Sequence, residues 1–142
     1  MISVRPLTDS DIETLGFEDY IAQRYSAYVK TDNPMFIVED ERGALCAFGA
    51  SLYWTGVYEC WFRLIDKRNI KAQIRILKQF INEWSEKLNI RRLFATAKCD
   101  AEISCRFLEF LGFKGEQSDG SPVCKQKFMP DGSSAYEYAL VR

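Results

Sequence analysis

The segment from Ile70 to Leu88 constrains this chain more than any other. Ile70, Ile74, Leu77, Ile81, Trp84 and Leu88 fall at intervals of four, three, four, three and four, which draws one unbroken apolar stripe along an α-helix. A helix of that kind must lay its stripe against other structure. The sequence on either side supplies it, because Val57 to Leu64 before it and Arg92 to Ala97 after it are apolar runs of strand length. Strand, long helix and strand in that order predict a right-handed crossover between two parallel neighbours.

The remaining elements attach to that crossover. Ile2 to Arg5 alternates apolar and polar before Pro6, as a short strand does. Ser10 and Glu13 stand at capping-box spacing with acids around them, so a helix is predicted to about Leu15, ended by Gly16. Phe17, Tyr20, Ile21, Arg24, Tyr25 and Tyr28 recur at helical spacing and predict a second helix, Phe17 to Val29, broken by Asp32-Asn33-Pro34. Met35 to Glu39, Leu45 to Tyr53 and Val57 to Leu64, joined by turns at Asp40–Gly43 and Thr55-Gly56, predict an antiparallel meander. Asp100 is placed to cap a last helix, Ala101 to Leu111, with Gly112 closing it in a left-handed conformation. Lys125 to Phe128 and Ala135 to Val141 flank Pro130-Asp131-Gly132 as a hairpin. The predicted class is α/β (α+β): a mixed, mostly antiparallel sheet with helices on both faces, in a single domain over residues 1–142.

Composition then removes whole classes of chemistry. The chain has no histidine, which excludes Ser-His-Asp and Cys-His relays, an imidazole base and a His-liganded zinc. Lys plus Arg is 19 and Asp plus Glu is 20, for a net charge of −1; that balance lacks the basic field of a dedicated nucleic-acid binder, so no specific nucleic acid is expected. The five cysteines (Cys46, Cys60, Cys99, Cys105 and Cys124) are odd in number and show no C-x-x-C spacing, which predicts reduced thiols with no structural pair. The N-terminus lacks the apolar core of a signal peptide, and the weakly polar stretch Ala44 to Trp54 is too short to cross a bilayer. No membrane association and a cytoplasmic location are expected.

The chemistry-bearing cluster is basic. Lys67, Arg68, Lys71, Arg75 and Lys78 crowd the start of the long helix, where cations oppose the macrodipole by roughly 0.3–1 kcal/mol each. An anion held on the free N–H groups there would account for them; a solvated polar face is the competing reading. Glu39, Asp40, Glu41 and Arg42 read as a charged turn, and Trp54, Trp61 and Trp84 as packing. Cys99 beside Asp100 is a weak candidate for a reactive thiol, and Tyr136 and Tyr138 on the last strand are candidate proton donors that nothing selects between.

The element order, the basic turn after Val57–Leu64, the opening Ile2-Ser3-Val4-Arg5-Pro6-Leu7-Thr8-Asp9-Ser10-Asp11 and the ending Phe107-Leu108-Glu109-Phe110-Leu111-Gly112-Phe113 together resemble the GCN5-related N-acetyltransferases. Glu59-Cys60-Trp61-Phe62 and Arg106-Phe107-Leu108 are similar to a small group of tailed-phage proteins of this fold, which includes the smallest internal virion protein of T7-like phages. The resemblance implies acetyl-CoA as cofactor, bound weakly, with its pyrophosphate at Lys67, Arg68, Asn69, Ile70, Lys71 and Ala72. It implies Glu59 as the base that takes a proton from an amine-bearing acceptor. The family signature falls on Lys67, Ile70 and Ala72, so an isoleucine stands where a glycine is usual. The usual Asn and Tyr of the last helix fall on Ala101 and Leu108. The alternative implied by the phage likeness is a non-catalytic protein, in the virion or against a host component, acting through a protein partner.

Overall fold

A computed structural model describes residues 1–16, 35–129 and 131–142. The helix expected over Phe17–Val29 lies outside them. The strands are β1 (Ser3–Pro6), β2 (Met35–Asp40), β3 (Gly43–Trp54), β4 (Val57–Leu64), β5 (Arg92–Lys98), β6 (Val123–Lys125) and β7 (Ala135–Val141). Three helices accompany them among the described residues: α1 (Asp9–Leu15), α2 (Ile70–Lys87) and α3 (Glu102–Phe110). The strands form one seven-stranded sheet in the order β1-β2-β3-β4-β5-β7-β6. β1/β2, β2/β3, β5/β7 and β6/β7 pair antiparallel, while β4/β5 pair parallel across α2, as the crossover demands. The chain divides into two compact units, Met1–Ser51 with Trp61–Arg68, and Leu52–Cys60 with Asn69–Arg142.

In the first unit, Leu7, Met35, Ile37, Ala47 and Trp61 form a buried cluster that Ile12 and Leu15 of α1 cover. α1 starts two residues earlier than the Ser10/Glu13 spacing predicts. Thr8 is the N-cap, and its capping box closes with Asp11. Three overlapping acids in Thr8-Asp9-Ser10-Asp11-Ile12-Glu13 offer rival boxes, and Asp11 prevails because Arg5 also binds it. Gly16 ends the helix at φ 60° as expected.

In the second unit α2 buries Gln73, Leu77, Ile81, Trp84 and Ser85. The stripe is therefore tilted from the apolar series, with Ile70 half-buried at one end and Leu88 exposed at the other. Trp84 meets Tyr58 of β4 with ring centroids 6.0 Å apart. α3 begins after Ala101, which caps it without a side-chain hydrogen bond, so Asp100 does not serve as the cap. Its C-terminus does close on Gly112 at φ 99°. The N–H groups of Gly112 and Phe113 return to the carbonyls of Glu109 and Leu108 at 3.0 and 3.1 Å, a Schellman pair. The last hairpin forms, but its first strand is Val123–Lys125; Phe128 lies beyond it and is exposed.

Candidate functional site

The chain leaves β4 at Leu64 and enters α2 at Ile70 through a turn built on backbone and carboxylate contacts. The N–H groups of Ile65 and Asp66 both reach the Leu45 carbonyl at 2.9 Å. Asp66 Oδ1 accepts the Arg68 N–H at 2.8 Å, an Asx turn that aims the chain at the helix. The Arg68 guanidinium is held by both oxygens of Asp40, at 2.8 and 2.9 Å, and by Asp66. Arg68 thus precedes α2 and does not share the helix face of Lys71, Arg75 and Lys78. Its hydrogen bonds hold the Asp40 carboxyl far below the usual carboxylate range. Asp40, read from sequence as part of a charged turn, thus serves a structural ion pair, and its side chain is only 5% exposed.

α2 itself begins bare. Asn69 adopts the left-handed conformation at φ 56° and gives no side-chain cap, and the first turn carries no acid. The first helical bond runs from the Gln73 N–H to the Asn69 carbonyl at 3.0 Å, so the N–H groups of Ile70, Lys71 and Ala72 precede the ladder. Lys71 is exposed, while Ile70 and Ala72 are half-buried. Lys67 in the turn is exposed. Among the described residues neither lysine takes part in a recorded ion pair. The amides, the positive end of the helix dipole and Lys71 are together the kind of arrangement that can stabilise an anion.

Glu59 stands on β4 in the same unit as α2. The parallel ladder of β4 with β5 runs over Val57–Arg92, Tyr58–Leu93 and Glu59–Phe94, so Glu59 is its last paired residue. Pleat alternation sends Glu59 to the face opposite Tyr58, the residue that packs on α2. Glu59 is half-buried. The described residues hold no cluster of three or more metal-ligating side chains.

No protein-family profile matches the chain, and no curated protein matches it. Solved structures do match. A protein described as a candidate phosphinothricin N-acetyltransferase superposes with a TM-score of 0.71 at 15% identity, covering 99% of this chain and 98% of that one. Spermidine N-acetyltransferase from Vibrio cholerae, solved with CoA and spermine, gives 0.70 at 14% identity over 99% and 95%. A candidate acetyltransferase from Salmonella typhimurium, solved with acetyl-CoA, gives 0.70 at 12% over 99% and 93%. The chain has the GCN5-related N-acetyltransferase fold.

Within the acetyltransferase fold, the sequence departures acquire a physical setting. Leu108, at the position where the family resemblance implies a tyrosine, is 3% exposed and packs in the core. Tyr138 on β7 is equally buried, and its hydroxyl donates to Glu109 of α3 at 3.3 Å. Burial and the neighbouring Cys105 and Glu109 raise the Tyr138 pKa well above the usual phenol value, so it is a poor ionisable group but remains a hydroxyl donor. Tyr136 is half-buried. Two features left no local signal in the sequence. One is the Asp40–Arg68 pair, 28 residues apart. The other is an approach of the Cys99 and Cys124 thiols to 3.4 Å, with no bond between them.

Proposed function

We propose that this chain is an acyl-CoA-dependent N-acetyltransferase for a small amine, with a weakened cofactor site. The observation that carries the reading is the uncapped, acid-free start of α2, entered directly from the strand whose parallel pairing with β5 ends at Glu59. Neighbours of the same fold include proteins solved with CoA and spermine or with acetyl-CoA.

The residues fit such a cofactor in part. The N–H groups of Ile70, Lys71 and Ala72 would receive the pyrophosphate, with Lys71 lending charge. Arg68, tied to Asp40 and Asp66, holds the turn in place of neutralising phosphate. Asn69 supplies the left-handed residue that starts the helix without a side chain over its amides. Ile70 narrows the backbone approach that a glycine leaves open. When bound, acetyl-CoA supplies an activated acetyl thioester. Glu59 accepts a proton from the acceptor ammonium, directly or through water, and leaves a neutral amine positioned to react.

A second reading rests on Ile70, the buried Leu108 and the commitment of Arg68 to carboxylates: a phage or prophage protein that keeps the fold and works by contact with a protein partner. Thiol release from acetyl-CoA, measured with a panel of polyamines and simple primary amines, separates the two. Turnover that falls about a hundredfold in Glu59→Gln supports the enzyme. Absence of turnover with every amine, in a chain that also fails to bind acetyl-CoA, leaves the contact reading.

A further inference from the structure

Cys99 and Cys124 take no part in the site described above, yet their sulfurs stand 3.4 Å apart. A disulfide bond is about 2.05 Å, so closing it needs a movement of little more than an ångström. The backbone sets this approach. Cys99 directly follows β5 and donates its N–H to the Ser134 carbonyl at 3.0 Å, just ahead of β7. Cys124 is the middle residue of β6 and lies opposite Tyr136 of β7 in the ladder. The Lys98–Asp131 ion pair, at 2.6 Å, draws the end of β5 and the β6–β7 loop together beside it. The other three thiols are in a different condition: Cys46, Cys60 and Cys105 are all buried, whereas Cys124 is exposed and Cys99 half-exposed. Burial pushes the Cys46 thiol up to about 12 and the Cys60 thiol further.

We propose that Cys99 and Cys124 are a reversible dithiol–disulfide modification site, oxidised by low-molecular-mass disulfides of the glutathione class. Cys124, the more exposed, attacks one sulfur of the small disulfide as thiolate. The small S–S bond breaks, one small thiol departs and a mixed disulfide remains on Cys124. Cys99 then attacks the Cys124 sulfur and expels the second small thiol. The protein loses two electrons and two protons, and the small disulfide becomes two thiols. The product closes a loop that contains α3 and pins β6, a three-residue strand at the end of the sheet order, to the chain leaving β5. Short edge strands sit at the low-stability end of a fold, so the bridge acts where the chain opens most easily.

The test incubates the full chain in buffers of stepped oxidised-to-reduced glutathione ratio, quenches by alkylation, and reads intact mass and peptide map. The expected result is paired loss of two thiols with one Cys99–Cys124 peptide. The bridge should form at roughly a hundredfold less oxidising conditions in the folded chain than in the urea-unfolded chain, with a Tm rise of about 10 °C. Cys99→Ser should hold a glutathione adduct at Cys124 with no such rise. A stable adduct on Cys124 in the unaltered chain without a bridge, a bridge to any other cysteine, or equal ease of bridging folded and unfolded would each overturn the proposal.

Discussion

Asp11 accepts both terminal nitrogens of Arg5, at 2.8 Å each, in a bidentate pair that ties β1 to the first turn of α1. The same carboxylate accepts the Thr8 N–H at 2.8 Å and completes the capping box. Arg5 Nε meanwhile reaches Glu39 of β2 at 3.0 Å. Arg5 chiefly, then Thr8, lower the Asp11 pKa from 3.8 to about 2.

Because the folded-state value is depressed, the stability Asp11 contributes is complete above pH 4 and is lost as pH falls toward 2. Its size is at most about 2 kcal/mol, given that Arg5 is partly exposed and screened. Asp11→Asn is expected to lower stability at neutral pH by about that amount and to flatten the acid limb between pH 5 and 2. Urea unfolding at a series of pH values checks both; an unchanged acid limb would refute the assignment.

Gly49 of β3 sits against the Trp61 indole. A Cβ there would lie 2.8 Å from three of the ring atoms, and Trp61 is only 5% exposed. Gly49→Ala should therefore cost about 1–3 kcal/mol through overpacking, read as a lower denaturation midpoint at unchanged m-value.

How much of this was legible depended on whether a signal is local. The α2 stripe, the strand–turn–strand runs and the left-handed Gly16 and Gly112 are written in spacing and residue type, and all appear near their expected places. The tilt of α2 was not legible, because burying Gln73 and Ser85 while exposing Leu88 depends on the surface the helix meets. Nor could the turn Glu39–Arg42 be divided by sequence into a buried Asp40 side chain, a half-buried Glu39 and the exposed Glu41 and Arg42. The Arg68 that distinguishes Asp40 is 28 residues away. In the candidate site, the basic cluster was visible as charge, while its division into Arg68, bound by carboxylates, and the exposed Lys67 and Lys71 required three-dimensional contacts.

That division predicts unlike effects from cations a few residues apart. Replacing Lys71 with alanine should weaken acetyl-CoA binding severalfold at low salt, lessen its salt dependence and leave Tm nearly unchanged. Arg68→Ala should lower Tm, because Asp40 is left buried beside Asp66 without its counter-charge. Thermal melts and calorimetric titrations of the two variants side by side distinguish the roles. A melt of Arg68→Ala matching the unaltered chain would remove its structural role.

Glu59→Gln preserves shape and removes the proton acceptor. The expected outcome is acetyl-CoA affinity within about twofold of the unaltered chain, while kcat falls roughly a hundredfold. A loss of affinity with kcat intact would place Glu59 in binding instead of proton transfer.

Isothermal titration of the purified chain with acetyl-CoA tests most directly whether the bare start of α2 receives the pyrophosphate despite Ile70. Weak binding is expected, in the upper micromolar range or poorer, about −5 to −7 kcal/mol, fading as salt rises and strengthened by Ile70→Gly. No heat of binding at low salt from either the unaltered chain or Ile70→Gly would contradict it.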